Sequence, residues 1–180
     1  MSGKQAKILA AHQIDDLLLY AETTRYPVRD RVIVLLSLKA GLRAAEIANL
    51  TWEMVLDPEG GVCTSLELRD SAAKMGHGRI IPLHSDLRDA LMALNRTSNC
   101  GSPVVRSERG NKMKARSVVI WFSRAYRAIG LDGCSSHSGR RTFITRAARL
   151  VHKAGGSLRD VSIARRSPVD PDHAAVYRRR

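Results

Sequence analysis

Two short motifs that lie far apart in the sequence constrain how this 180-residue chain can fold. Residues 40–52 read Ala-Gly-Leu-Arg-Ala-Ala-Glu-Ile-Ala-Asn-Leu-Thr-Trp, and residues 137–143 read His-Ser-Gly-Arg-Arg-Thr-Phe. Arginine suits phosphate binding because its planar guanidinium stays charged and donates two parallel hydrogen bonds. If folding brings the two motifs together, two arginines and a histidine can bind and polarise a phosphodiester without a metal ion.

The first motif predicts a short helix that begins directly after a glycine break. Gly41 ends the preceding apolar helix, so the side chain of Arg43 can project into a cleft. Glu46 follows three residues later on the same helix face, where its carboxylate can orient Arg43. An arginine after a glycine is by itself usually a surface residue, whereas the complete motif with its leucine and tryptophan spacing is much more specific.

In the second motif, His137 and Arg140 are one helical turn apart, so both side chains can reach the same point. We expect Ser135 or Ser136 to cap the helix that carries them. This placement suits a proton carrier beside a phosphate-binding arginine. Arg141 is expected to contact backbone or DNA and to lie outside the phosphate-binding site itself.

The remaining pattern predicts a mainly helical α+β fold with a small antiparallel β-sheet. Two short β-prone runs with a glycine-rich connection predict a hairpin, and apolar residues at helical spacing predict helices before and after it. The predicted helices span residues 13–23, 27–39, 43–50, 85–95, 115–129 and 135–153, and the predicted strands span residues 62–68 and 79–83.

Positive charge is concentrated in the C-terminal part of the chain. The net charge is +13, with seven basic and eight acidic residues in 1–60 but sixteen basic and four acidic residues in 111–180. A basic half beside a neutral half predicts a surface for a polyanion. Nucleic acid fits best because each neutralised phosphate releases a condensed counterion. The competing interpretation is a solvated basic surface or tail.

The cysteines and the hydropathy pattern bear on location. Cys63, Cys100 and Cys134 are odd in number and lack metal-ligand spacing, which predicts reduced thiols in the cytoplasm. The sequence begins with no signal-peptide pattern, and its longest apolar run, residues 32–38, is too short to span a bilayer. We therefore expect a cytoplasmic protein without a membrane partner.

Taken together, the two motifs resemble those of the catalytic domain of the tyrosine recombinases, the phage-integrase family. The resemblance extends from about residue 14 to about residue 161. It implies that Arg43 and Arg140 stabilise the reacting phosphate and that His137 is an acid/base partner. It also implies that Lys74, five residues before Arg79 in the hairpin, protonates the leaving 5′ oxygen.

The resemblance further implies site-specific DNA recombination and integration of a mobile element, with no metal and no cofactor. In this mechanism a tyrosine attacks a DNA phosphate and forms a 3′-phosphotyrosine, which a second hydroxyl later attacks. The implied partners are double-stranded DNA and further copies of the same chain, in a homo-tetramer on that DNA.

The last residues depart from this pattern. The family has a Leu-x-Gly-His segment and a nucleophilic tyrosine nine residues after its histidine, but here Pro168 lies nine residues before Tyr177 and His173 only four. Two prolines without apolar periodicity argue against a packed helix. The chain is therefore divided into a catalytic domain, residues 1–161, and an aberrant C-terminal tail, residues 162–180, where Tyr177 lies close to the expected place of the nucleophile.

A one-nucleotide frameshift would account for this tail. With permitted codons for residues 162–180, reading one nucleotide later yields a peptide that contains Gly-His and a tyrosine nine residues after that histidine. We therefore hypothesise a recombinase that is inactive or weakly active because its C-terminal segment is altered. The lost final helix would also leave apolar surface uncovered.

Three other functions compete with this interpretation. The main alternative is a non-catalytic DNA-binding regulator that retains the recombinase fold without its nucleophile. A metal-dependent nuclease is disfavoured because Asp15, Asp16 and Glu46 form no recognisable carboxylate cluster in the sequence. A type IB topoisomerase shares much of the chemistry and is disfavoured by the length of the chain.

Overall fold

A computed structural model describes residues 6–73, 77–97 and 103–153 as six α-helices, one short 3₁₀ helix and a two-stranded sheet. No helix of this described part combines the length and apolarity needed to cross a bilayer. The predicted mainly helical α+β class is confirmed. The helices are α1 (Ala11–Glu22), α2 (Pro27–Lys39), α3 (Ala44–Asn49), α4 (Ser85–Thr97), α5 (Ala115–Ala128) and α6 (Ser138–Lys153), the strands are β1 (Ser65–Leu68) and β2 (Arg79–Pro82), and the 3₁₀ helix is Trp52–Met54.

Helix α2 forms the centre of the hydrophobic core. Residues 32–38 are all buried, and a helix that is apolar on every side is stable only when other elements cover it. Helices α1, α4 and α6 pack against α2, while α5 packs against α1 and α3. Pro27 occupies the first turn of α2, and Gly41 adopts a φ of 62° just after its end. The core helix therefore ends where the first motif begins.

The two strands form an antiparallel hairpin that closes over this core. Leu68 pairs with Arg79 at the loop end of the hairpin, and the side chain of Leu68 is buried. The first strand is shorter than predicted because Val62 pairs instead with Leu56 in an isolated bridge. The hairpin therefore carries Arg79 to the face of the core on which the first motif lies.

Helix α6 begins later than predicted. The N–H of Ser138 donates to the carbonyl oxygen of Ser135 at 2.8 Å, and the N–H of Ser135 donates to Oγ of Ser138 at 3.0 Å. Because these bonds close a tight turn, His137 precedes the helix. Its carbonyl oxygen accepts a helical hydrogen bond from the N–H of Arg141 at 2.9 Å.

The segment before α1 is bound to the first turns of α6. The N–H of Leu9, a buried residue, donates to Oγ1 of Thr142 at 2.9 Å. Nη1 of Arg141 donates to the carbonyl oxygen of Ala6 at 2.8 Å, which agrees with the backbone contact expected of Arg141. These contacts fix the part of α6 that carries Arg140.

Candidate functional site

A buried carboxylate lies at the point where the two motifs meet. The side chain of Glu46 has 0% exposure. Its Oε1 accepts hydrogen bonds from Nη1 of Arg43 at 2.9 Å and Nη1 of Arg79 at 3.1 Å. Its Oε2 accepts from the backbone N–H of Arg43 at 2.8 Å and Nη2 of Arg79 at 2.9 Å. Nη1 of Arg140 lies 4.0 Å from Oε2. We call Glu46 and these three arginines the arginine cluster.

Arg43 is placed by the glycine break that precedes α3. A Cβ atom on Gly41 would overlap the ring of Phe143, so only glycine permits this close approach, and its φ of 62° also favours glycine. Arg43 occupies the cap position of α3, and its side chain is 36% exposed. It is therefore the most accessible arginine of the cluster, because those of Arg79 and Arg140 are 11% and 15% exposed.

Arg140 reaches the same place from α6. Its Nη1 donates to the carbonyl oxygen of Gly41, which ties the second motif directly to the first. The backbones of α2 and α6 approach closely here, because a Cβ atom on Gly139 would overlap the side chain of Ser37. The structure therefore brings Arg43 and Arg140 together around one carboxylate.

The arginine cluster is an anion-binding arrangement. Its three guanidinium groups and one carboxylate sum to a charge of +2. Burial alone raises the pKa of Glu46, but hydrogen bonds from Arg79 and Arg43 and the charges of both arginines outweigh it and hold that pKa below its usual value. Glu46 therefore stays ionised at neutral pH and anchors the arginines, whose remaining positive charge suits a phosphate.

Of the other predicted site residues, the structure describes His137 but not Lys74 or Tyr177. His137 is exposed and lies immediately before α6, three residues from Arg140. Lys74 and Tyr177 lie outside the described residues, so their roles stay predictions. At the loop end of the hairpin, the N–H of Gly78 donates to Oδ1 of Asp70 at 2.6 Å. In the described part of the chain, no three His, Cys, Asp or Glu side chains are grouped so that they could hold a metal ion.

Sequence reasoning did not find the role of Arg79. That residue served only to identify the hairpin lysine, whereas in the structure it is the bidentate partner of Glu46. The contact joins residues 33 positions apart through a strand pairing, which local spacing does not reveal. The available signal was an arginine at the start of a half-buried strand, since a buried arginine requires an acidic partner.

Exposed basic side chains extend from α5 to the end of α6. Within residues 111–153 there are ten basic residues and one acidic residue, Asp132. Helix α6 carries part of this positive charge together with Arg140 of the arginine cluster. The exposed basic residues are Lys112, Lys114, Arg116, Arg124, Arg127, Arg146, Arg149 and Lys153.

Comparison with known families gives a match over most of the chain. The model of the family described as "Phage integrase family" matches residues 7–161. No curated protein sequence shows significant similarity to the chain.

Solved structures share the fold at low sequence identity. An integrase of the Tn1549 transposon in complex with a circular intermediate DNA has a TM-score of 0.65 and 18% identity, over 98% of this chain and 66% of that one. A lambda integrase dimer bound to a COC′ core site has a TM-score of 0.68 and 23% identity, over 99% of this chain and 49% of that one. A lambda integrase tetramer bound to a Holliday junction has a TM-score of 0.65 and 22% identity, over 87% of this chain and 45% of that one. The chain thus spans between about half and two thirds of the length of these proteins.

Proposed function

Because the chain belongs to the phage integrase family, we propose that it binds double-stranded DNA and acts in site-specific recombination by breaking and rejoining a strand through a 3′-phosphotyrosine. The observation that carries this proposal is the arginine cluster, in which two motifs distant in sequence converge on the buried carboxylate of Glu46. The single carboxylate compensates only part of the positive charge of the cluster, and the remaining charge of +2 is well suited to hold a phosphodiester.

In this proposal, Arg43 and Arg140 bind the two non-bridging oxygens of the phosphate to be cleaved. Negative charge on these oxygens grows as the phosphorus becomes pentacoordinate, so fixed cations stabilise the transition state more than the ground state. The hydrogen bonds of Glu46 hold Arg43 in place before substrate arrives, which avoids a cost of reorganisation during the reaction.

The remaining steps need a nucleophile and a proton donor. The Tyr177 oxygen forms a bond to phosphorus while the bond from phosphorus to the 5′ oxygen breaks, and Lys74 supplies the proton that this oxygen takes up. His137, next to the turn that carries Arg140, exchanges the tyrosine proton. A second DNA 5′ hydroxyl then attacks the phosphotyrosine and releases the tyrosine. One phosphoester replaces another at each step, so the balance requires no cofactor.

The proposed partners are double-stranded DNA and further copies of this chain in a tetramer on that DNA. The exposed basic side chains of α5 and α6 support DNA binding, since exposed lysines and arginines can neutralise DNA phosphates and release condensed counterions. Lambda integrase, which shares the fold, forms a tetramer bound to a Holliday junction, and this supports the proposed assembly. Integration of a mobile element is the proposed setting.

We also propose that the altered tail weakens cleavage. The family match ends at residue 161, and residues 162–180 depart from the family pattern around Tyr177. The coding DNA from codon 150 to beyond the stop codon tests the frameshift hypothesis. A shifted frame that encodes Gly-His and a tyrosine nine residues later supports it, whereas a frame without them contradicts it.

Trapping of a covalent intermediate tests the proposed reaction. The chain, and a version whose residues 162–180 are replaced by the shifted-frame peptide, are incubated with a pool of nicked random-sequence duplexes that lose the 5′ hydroxyl fragment after cleavage. We expect a protein–DNA adduct on a denaturing gel with the restored chain, a much weaker adduct with the chain as it stands, and none after Arg140→Met.

The outcomes separate this proposal from the second candidate. An adduct of equal yield through Tyr177 in the unaltered chain would show that the tail is functional. The absence of any adduct with both chains, together with retained DNA binding, would support a non-catalytic DNA-binding regulator. That candidate is favoured by the departure of residues 162–180 from the family pattern, and it predicts that Tyr177→Phe changes nothing.

A further inference from the structure

We propose that Arg79 is a positioning residue. It donates hydrogen bonds to both carboxylate oxygens of Glu46 and thereby prevents this carboxylate from capturing Arg140 in a direct hydrogen bond. The inference rests on the proposed function, because it explains how Arg140 stays directed towards a DNA phosphate. Nothing in the local motifs indicates this role, since Arg79 comes from the β-hairpin and Arg140 from α6.

The carboxylate of Glu46 accepts as many hydrogen bonds as its two oxygens allow. A carboxylate has two oxygens and can accept about two hydrogen bonds on each. Arg43 supplies one to each oxygen, through Nη1 and its backbone N–H, and Arg79 supplies the second to each through Nη1 and Nη2. The carboxylate is therefore saturated by these two arginines.

Arg140 lies close to Glu46 without bonding to it directly. Its Nη1 lies 4.0 Å from Oε2 of Glu46, outside hydrogen-bond distance, and donates instead to the carbonyl oxygen of Gly41. A buried carboxylate that loses hydrogen bonds is strongly unfavourable, so it recruits another donor when one is near. If Arg79 were removed, an acceptor site would open on each oxygen, and Arg140 would need to move by only about 1 Å to form a direct bond.

Arg79 differs from the other two arginines in how fully Glu46 engages its guanidinium. Arg79 is only 11% exposed, and both of its terminal nitrogens donate to Glu46. Strand β2 holds its backbone through the pairing with Leu68. Both terminal nitrogens of Arg79 are therefore engaged by Glu46. Arg140 is similarly buried, at 15% exposure, but its Nη1 donates to the carbonyl oxygen of Gly41. The guanidinium of Arg79 thus bonds the carboxylate through both terminal nitrogens, whereas that of Arg43 gives it one hydrogen bond and that of Arg140 lies 4.0 Å away.

The experiment compares Arg79→Met with Arg140→Met in binding to a random-sequence 30-base-pair duplex. Affinity is measured at several salt concentrations after far-UV circular dichroism has shown that each variant is folded. We expect each variant to bind about tenfold more weakly and to lower the slope of log affinity against log salt by about one, because one phosphate contact is lost. Adding Arg140→Met to Arg79→Met should change nothing further.

Arg69→Met is the matched control: it removes one positive charge from the hairpin side, where Arg69 forms an exposed ion pair with Glu53.

A second variant separates positioning from mere structural support. In Glu46→Gln/Arg79→Met the carboxylate charge is absent, so nothing captures Arg140. The salt slope should rise again by about one and the affinity should exceed that of Arg79→Met, but it should stay below that of the unaltered chain because Arg43 has lost its charged anchor. This double variant also keeps the test informative if Arg79→Met alone fails to fold, because it leaves no unpaired buried charge. A double variant as weak as Arg140→Met would overturn the proposal, as would an Arg79→Met variant that binds like Arg69→Met.

A spectroscopic measurement keeps this inference distinct from the proposed function. The guanidinium resonances of Arg140, identified by their loss in Arg140→Met, should shift in Arg79→Met because a direct hydrogen bond to Glu46 forms there, and this hydrogen-bond shift should be absent from the double variant. If Arg140→Met binds DNA as well as Arg69→Met does, the phosphate-binding role of Arg140 is wrong, and these resonances still decide whether Arg79 controls its position. Resonances unchanged in Arg79→Met would overturn the inference.

Discussion

Glu46 holds Arg43 at two points, because one carboxylate oxygen accepts a hydrogen bond from the guanidinium of Arg43 and the other accepts one from its backbone N–H. The two distances are 2.9 Å and 2.8 Å. The backbone bond satisfies one of the unpaired donors at the start of α3, and the side-chain bond directs the guanidinium. The start of the helix and the orientation of the arginine are thus set by a single acid.

Replacement of this acid should destabilise the fold strongly. Glu46→Gln keeps the shape but removes the charge that compensates two arginines, one of them 11% exposed. We expect the free energy of unfolding to fall by about 3 kcal/mol in urea titrations, as for other buried ion pairs that lose one partner. Glu53→Gln, which breaks the exposed pair with Arg69, is the control and should change it by less than about 0.5 kcal/mol. Equal effects of the two substitutions would contradict the role of Glu46.

Acid should remove the contribution of Glu46. Its pKa in the folded state lies below the ordinary value of 4.5, so the unfolded chain binds this proton more readily. Ionised Glu46 therefore stabilises the fold fully above pH 4.5, and this stabilisation is lost as the pH falls from 4.5 through the lowered pKa. The stability difference between the unaltered chain and Glu46→Gln should shrink over this range in urea titrations. A difference that stays constant would contradict the lowered pKa.

The close approach of α2 and α6 should tolerate no side chain on Gly139. In an open helix, alanine in place of glycine stabilises by about 1 kcal/mol, but here the added Cβ atom would overlap the side chain of Ser37. We therefore expect Gly139→Ala to lower the free energy of unfolding by about 1–3 kcal/mol. Adding Ser37→Ala removes the overlapping Oγ and should restore part of the loss. A stabilising Gly139→Ala variant would contradict this packing.

The segment before α1 should depend on one hydroxyl. Thr142→Val keeps the volume but leaves the N–H of buried Leu9 without its acceptor. The expected cost is about 1–3 kcal/mol, with faster amide hydrogen exchange at Leu9. Thr142→Ser retains the hydroxyl and should preserve slow exchange at that amide. Equally slow exchange in the valine variant would mean that this hydrogen bond does not hold the segment.

The sequence predicted those features that local spacing determines. The contact between Arg43 and Glu46 follows from residues one helical turn apart, and Arg140 was correctly placed near Arg43 through the resemblance to a family. The role of Arg79 was missed because it depends on strand pairing and burial. The start of α6 was predicted too early because Ser135 and Ser136 were interpreted as candidate helix caps, whereas Ser135 bonds with Ser138 in a turn that contains His137. Lys74 and Tyr177 lie outside the described residues and stay predictions.

The central claim is that Arg43 and Arg140 together bind one DNA phosphate. The most direct measurement compares the DNA affinity of Arg43→Gln/Arg140→Gln with that of Arg31→Gln/Arg69→Gln on the same 30-base-pair duplex. Both double variants lose two positive charges, but Arg31 and Arg69 form exposed ion pairs with Glu22 and Glu53 and not with Glu46. We predict a loss of about a hundredfold for the first and less than about threefold for the second. Equal losses in the two variants would contradict the claim, because general positive charge and not the arginine cluster would then account for DNA binding.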